Sequence, residues 1–228
     1  MTLIIAGVAC DGVVLCADRA ESNETSFRYV NKIFSVHGEV LAYDGDISIG
    51  EKILSEIERF EWPKSSSDQI RMVELVTKNE NRRYSTRKES NTSTLFMTFH
   101  DSKPFIQFFN YDGSSFGVKT FESIGSGETQ VEYFLRTLYR PEYNVEKLAE
   151  ICSFIIQLIS ESAVNNSVRV STEYPVETYV IRSGKPYRYD NPYLYDMNHD
   201  RILSLHNKLN DMFAENDIII KEAIRRYW

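Results

Sequence analysis

Residues 2–17 read TLIIAGVACDGVVLCA, two nearly unbroken apolar runs around a single Asp11-Gly12 pair. This stretch does most to limit what the chain can become. Runs rich in Val, Ile and Leu favour strand, and Asp-Gly between them is a hairpin signal, so strands are expected over 2–9 and 13–17. Neither run alternates apolar with polar, so a sheet holding them has to be covered on both faces.

The rest of the chain supplies the covers. KIFSV and EVLAY flank a turn at His37-Gly38 and predict a second hairpin. After Asp46 the period changes: Ile49, Ile53, Leu54, Ile57 and Phe60 recur at three and four, one face of a helix ending before Pro63. A second helix is expected from Ser67 to about Arg82, with Ile70, Val73, Leu75 and Val76 inward. Strands return at TLFMTFH and PFIQFFN, joined through Asp101-Ser102-Lys103, and again at SFGVKTF. Helices follow at Glu128–Tyr139 and Val145–Val164, then a hairpin ETYVIRSGKPYRY turning at Ser183-Gly184. A last helix takes much of Asp200 to Tyr227. Segregated blocks of strands and helices indicate an α+β fold, and two sheets with helices outside them cover every apolar face. No linker interrupts the chain, so one domain is expected over 1–228, with a C-terminal helix from about 200.

Charge and cysteine usage narrow the class. A formal net charge of −7 argues against a nucleic-acid binder, and the basic run NRRYSTRK reads as a solvated face. Cys10, Cys16 and Cys152 form no CxxC pair, as expected of reduced thiols in a cytoplasmic protein. No basic region precedes the apolar TLIIAGVA, so export is not expected, and the N-x-S/T triplets at Asn23, Asn91 and Asn165 carry no meaning without it. No window approaches about eighteen uninterrupted apolar residues, so no membrane partner is expected.

The position of Thr2 has a chemical consequence. Methionine ahead of a small residue is generally removed, which leaves Thr2 with a free α-amine beside its own hydroxyl. A threonine alcohol is a weak nucleophile that needs a base, and a terminal amine of pKa about 7.7–8 is a suitable one. Taken alone, Thr2 reads as a β-branched residue that starts a strand. Its surroundings distinguish the two. TLIIAGVACDGVVLCADRAES, NKIFSV, LAYDGDISIGEKI and ESIGSGETQVEYFL, in that order across residues 2–138, resemble the β-type subunits of the proteasome and the related bacterial threonine peptidase HslV.

The resemblance implies a four-layer αββα sandwich of the N-terminal nucleophile hydrolase class. It makes Thr2 the nucleophile, sets Asp18 and Lys32 beside it as a buried pair, and gives the oxyanion the backbone N–H of Gly45. Ser126, inside Gly125-Ser126-Gly127, matches the serine that helps hold the terminal amine, and Ala20, Tyr43 and Ile47 match the wall of the substrate pocket. Peptide or unfolded protein as substrate, a homo-oligomeric ring or stacked assembly, and an ATP-dependent unfoldase partner are further implications.

The chain departs from the family in its late stretch. Where proteasome-type subunits carry an aspartate and then a serine, this chain reads NNSVRVSTEYPVETYVI, with Arg169, Ser171 or Thr172 nearby and no aspartate. The NKIF lysine also comes about two residues early, which implies a shorter preceding loop. Two readings therefore stand beside the peptidase: a non-catalytic structural subunit, and an amidase acting on a small non-peptide amide. GSGETQ lacks the third glycine and the lysine of a dinucleotide or phosphate loop, so no cofactor is expected. His199 and His206, with Asp196 and Asp200 nearby, lack the further ligands a metal would need, and no metal is expected. The tyrosines of YRYDNPYLYD read as packing or subunit contact.

Overall fold

In the computed structural model the first two runs pair as expected. β1 (Leu3–Ala9) and β2 (Gly12–Ala17) are antiparallel, with Ile4 opposite Ala17 and Ala9 opposite Gly12. The structure describes residues 2–22, 27–84, 91–100, 103–161, 168, 170, 175–183 and 186–189. The chain divides into two compact units, Met1–Asn191 and Pro192–Trp228. Every element described here belongs to the first. The second, with the expected helix over 200–227 and the residues Asp196, His199, Asp200 and His206, lies outside the described residues.

β3 (Ala20–Ser22) and β4 (Phe27–Tyr29) form a small two-stranded ribbon that the sequence does not announce, because RAESNETSFRY has no apolar run. β5 (Ile33–Val36) and β6 (Glu39–Gly45) form the second hairpin. His37 and Gly38 have φ of 53° and 84°, the two positive values a tight two-residue hairpin turn requires.

α1 (Ile47–Arg59) is capped by Asp46, whose carboxylate accepts the Ser48 N–H at 2.9 Å. Ile49, Ile53 and Ile57 are fully buried. Phe60, expected on the same face, is 50% exposed, since it caps the helix in an extended conformation and has left the helical phase. α2 (Ser66–Tyr84) corrects a second expectation: Val73 and Val76 point inward, but Leu75 is 57% exposed. The inward stripe runs Gln69, Val73, Val76, Thr77, Glu80, Asn81, and all but the two valines are polar. Those polar groups are satisfied where they sit. Asn81 donates to the Thr77 and Thr92 carbonyls at 2.9 and 2.8 Å and accepts the Thr92 N–H at 2.8 Å.

β7 (Thr92–His100) and β8 (Lys103–Phe109) follow, then β9 (Ser115–Gly117) and β10 (Phe121–Gly125). SFGVKTF, expected as one strand, is divided between two sheets: β9 pairs with β8, while β10 pairs with β1. The crossing falls at 118–120, where Val118 N–H still bonds Ile106 O and Thr120 O already accepts from Val8 N–H. α3 (Glu128–Leu138) and α4 (Val145–Glu161) precede β11 (Glu177–Ile181) and β12 (Tyr187–Arg188). The expected continuation of α4 to Val164 and the turn residue Gly184 lie outside the described residues.

The two main sheets have the orders β10-β1-β2-β11-β12 and β5-β6-β7-β8-β9. Between them Ile4, Ala6, Leu15 and Ala17 meet Ile33, Ala42, Leu95, Met97 and Ile106. α1 and α2 cover the outer face of the second sheet through Ile49, Ile53, Ile57 and Val73 against Leu41 and Phe96. α4 covers β1 and β2, and α3 lies on β10. Gly7 lets α4 approach closely, since a Cβ there would lie 2.8 Å from Leu148 Cδ2. The fold is a four-layer αββα sandwich, and each Val, Leu, Ile, Phe or Met side chain fully buried in it contributes about 1.5–3 kcal/mol.

Candidate active site

Hydrogen bonding on both sides of β1, to β2 and to β10, ties down a terminus that would otherwise fray. Thr2 therefore sits at a fixed place, half-buried, with its carbonyl accepting the Ser126 N–H at 2.6 Å. Gly125 and Gly127 on either side of Ser126 have φ of 100° and 98°, the left-handed turn that carries the chain from β10 into α3. Ser126 thus meets Thr2 through its backbone.

At the other end of the hairpin β2 gives out at Asp18, whose carboxylate is fully buried and saturated. Oδ1 accepts the Leu3 N–H at 2.8 Å and the Lys32 ammonium at 2.7 Å, and Oδ2 accepts the Ala20 N–H at 3.0 Å. Lys32 is 5% exposed and Asp18 0%. Burial pushes the Asp18 carboxyl above the ordinary aspartate range, while Lys32 and the two N–H groups pull it back. Lys32 is also held by its backbone: Glu177 on β11 accepts the Lys32 and Ile33 N–H groups at 3.1 and 3.3 Å. From the sequence Glu177 is expected only as the first residue of a strand. A carboxylate at the head of the otherwise apolar and hydroxylic run ETYVI was the signal available.

Thr2, Lys32, Gly45, Tyr43, Ile47 and Glu51 help line one cleft of about 360 Å³. Gly45 ends β6 at φ 125° with the Asn91 carbonyl pressed against it, so no side chain fits there and the backbone is left open to the cleft. Tyr43 is a wall: its ring stacks on Phe34 at 5.4 Å and rests on Gly50, where a Cβ would collide with it. Ala20 is fully buried, is not part of this lining, and reaches the site only through the bond its N–H makes to Asp18.

A sequence profile described as Proteasome subunit matches residues 2–173. The chain belongs to the proteasome subunit family. Its fold is shared with an Anbu (Gly-1) mutant from Hyphomicrobium sp. strain MC1, at 15% identity and a TM-score of 0.70, covering 95% of this chain and 96% of that one. It is also shared with Anbu, an ancestral beta-subunit, from Yersinia bercovieri, at 14% identity and a TM-score of 0.71, covering 93% and 96%. No curated protein matches it by sequence.

Within this proteasome-family site one further carboxyl was not anticipated. Asp44 is half-buried on β6 immediately before Gly45. Burial pushes its carboxyl up, and Lys32, the Gly45 N–H and the Thr2 side chain pull it back. A Cβ on Gly125 would lie 3.2 Å from Asp44 Cγ, so the carboxyl is wedged against the turn that holds Thr2. The late residues Arg169, Ser171 and Thr172 lie outside the described residues. Among the described residues no His, Cys, Asp or Glu cluster could hold a metal, Cys10, Cys16 and Cys152 are free thiols, and no helix is long and apolar enough to cross a membrane.

Proposed function

We propose that this proteasome-family subunit is a threonine-type peptidase, with Thr2 as nucleophile once Met1 is removed. The Thr2 hydroxyl gives its proton to the α-amine of the same residue, and Oγ attacks the scissile carbonyl. The oxyanion takes the Gly45 N–H, which in the resting site is turned toward the Asp44 carboxyl. Collapse breaks the C–N bond, the amine leaves with the proton, and water hydrolyses the threonine ester. The Lys32 ammonium lowers the cost of negative charge on Oγ, and Asp18 keeps it aimed.

The observation that carries this reading is the buried Lys32–Asp18 pair, at 2.7 Å, at a cleft shared with Thr2 and Gly45. A charge buried at a surface cleft is costly, and an ion pair there adds little to stability over apolar residues. Its presence is economical if the field is used.

The test is covalent labelling of protein whose intact mass shows that it begins at Thr2. A β-lactone should add its mass to Thr2 and nowhere else, and Thr2→Ala should abolish labelling while leaving the oligomeric state unchanged. An unlabelled wild type supports the structural-subunit reading, which the absence of an aspartate from NNSVRVSTEYPVETYVI favours. Hydrolysis of small amides in preference to peptides supports the amidase reading. Assembly into a closed homo-oligomer in the cytoplasm, fed by an ATP-dependent unfoldase, belongs to the same proposal, since an open threonine peptidase would degrade its surroundings.

A further inference from the structure

We propose that Asp44 is a positioning residue for the Thr2 nucleophile, its carboxylate holding the hydroxyl in place and stabilising the ammonium that forms on Thr2 as the bond to substrate is made. The inference rests on the peptidase reading of Thr2.

Three observations converge on Asp44. It is placed by β6, directly before Gly45, whose backbone opens on the cleft. A Cβ on Gly125 would collide with the Thr2 carbonyl and lie 3.2 Å from Asp44 Cγ, so both groups sit against the same turn. The Thr2 side chain and the Gly45 N–H both draw its raised carboxyl back toward the charged form, as Lys32 does by charge. Among the described residues the charged groups around it are therefore Lys32 from the segment before β5 and Glu128 from the start of α3, with Asp18 also drawing on Lys32.

The chemistry follows from which atoms carry charge. In the resting site the hydroxyl hydrogen is directed at the Asp44 carboxylate, which settles the side-chain rotamer and leaves the Oγ lone pairs toward the cleft. On attack the hydroxyl proton passes to the Thr2 amine, and an ammonium appears on the residue that Asp44 contacts. A fixed carboxylate beside a cation that develops during reaction stabilises it without itself taking the proton, as the triad aspartate does for an imidazolium. Lys32 then serves two carboxylates, Asp18 as its anchor and Asp44 across the nucleophile.

The experiment compares wild type, Asp44→Asn and Asp44→Ala, each confirmed by mass to begin at Thr2, for the rate of β-lactone acylation at Thr2 between pH 5 and 9. The expected order is wild type, then Asn, which keeps an acceptor for the hydroxyl, then Ala, slower by about tenfold or more at pH 8. Reaction requires the amine neutral and Asp44 ionised, so the acid limb of the wild-type profile is steeper than that of Asp44→Asn by about one proton. A merely structural role does not change that slope. If Asp44→Ala fails to assemble, the slope for Asp44→Asn decides alone. Variants equal to or faster than a labelled wild type overturn the inference, the faster case meaning that the carboxylate obstructs the oxyanion position. A wild type that does not label overturns the peptidase reading, and the role of Asp44 with it.

Discussion

Replacing Lys32 by methionine tests whether the buried pair is as costly to break as its geometry requires. The variant keeps the length and apolar stem of the side chain and removes one charge, leaving Asp18 at 0% exposure with the Leu3 and Ala20 N–H groups as its partners. Breaking a buried pair from one side costs about 3–5 kcal/mol, and the two remaining donors hold the loss to about 3 kcal/mol near neutral pH. The carboxyl has a second escape, protonation. Burial already pushes Asp18 above its ordinary range, and without the Lys32 charge nothing but two amides opposes that push. A carboxyl whose folded pKa lies above its unfolded value favours the folded state below the unfolded pKa, and that contribution is lost as pH rises through the folded value. Lys32→Met is therefore least damaged in acid, with its deficit growing as pH rises through the raised Asp18 value. Urea unfolding of both proteins at one protein concentration, at pH 5 and pH 8, reads this directly as a shift in midpoint at constant slope. A deficit below about 1 kcal/mol at pH 8, or one equal at the two pH values, would refute the argument, since either means that Asp18 is not left charged and buried.

Two further outcomes follow from the packing. Glu177→Ala orphans the buried Lys32 and Ile33 N–H groups and should cost about 1–3 kcal/mol in chemical denaturation and slow lactone labelling of Thr2, whereas Glu177→Gln, which keeps an acceptor, should cost less than half as much. Ile53→Ala, in the fully buried face of α1, should cost about 2–5 kcal/mol, while Leu75→Ala, at 57% exposed on α2, should fall within about 0.5 kcal/mol of wild type.

The contrast between α1 and α2 shows what was legible in the sequence. α1 buries isoleucines at 49, 53 and 57, and an apolar period of this kind can be read off the letters. α2 buries Gln69, Thr77, Glu80 and Asn81 beside its valines, so its inward face is defined by hydrogen bonds to Pro63, Thr92 and Thr94 that a hydrophobicity pattern cannot contain. A leucine at 75 predicts an inward side chain, yet Leu75 lies outside because the polar stripe takes the inward side. The division of SFGVKTF has the same origin. Local propensity makes 115–121 strand-like, but which sheet each half joins is decided by partners far away in the chain, Ile106 for Val118 and Val8 for Thr120.

The site divides along a similar line. Thr2, Asp18, Lys32 and Gly45 were named because their segments resemble a family in order and spacing, and β1, β2, β5 and β6 are short, regular strands that bring those positions together. The residues that steady them carry no such mark: Glu177 belongs to a stretch outside the resembling segments, and Asp44 lies inside one, LAYDGDISIGEKI, at a position to which the resemblance gives no role. Glu177 reaches the Lys32 backbone across 145 positions of sequence, and Asp44 packs tightly against Gly125, 81 residues later, where a Cβ would lie 3.2 Å from its Cγ. Resemblance transmits the residues a family shares. The groups by which one member supports them, including a carboxyl set beside a threonine, have to be found in the packing.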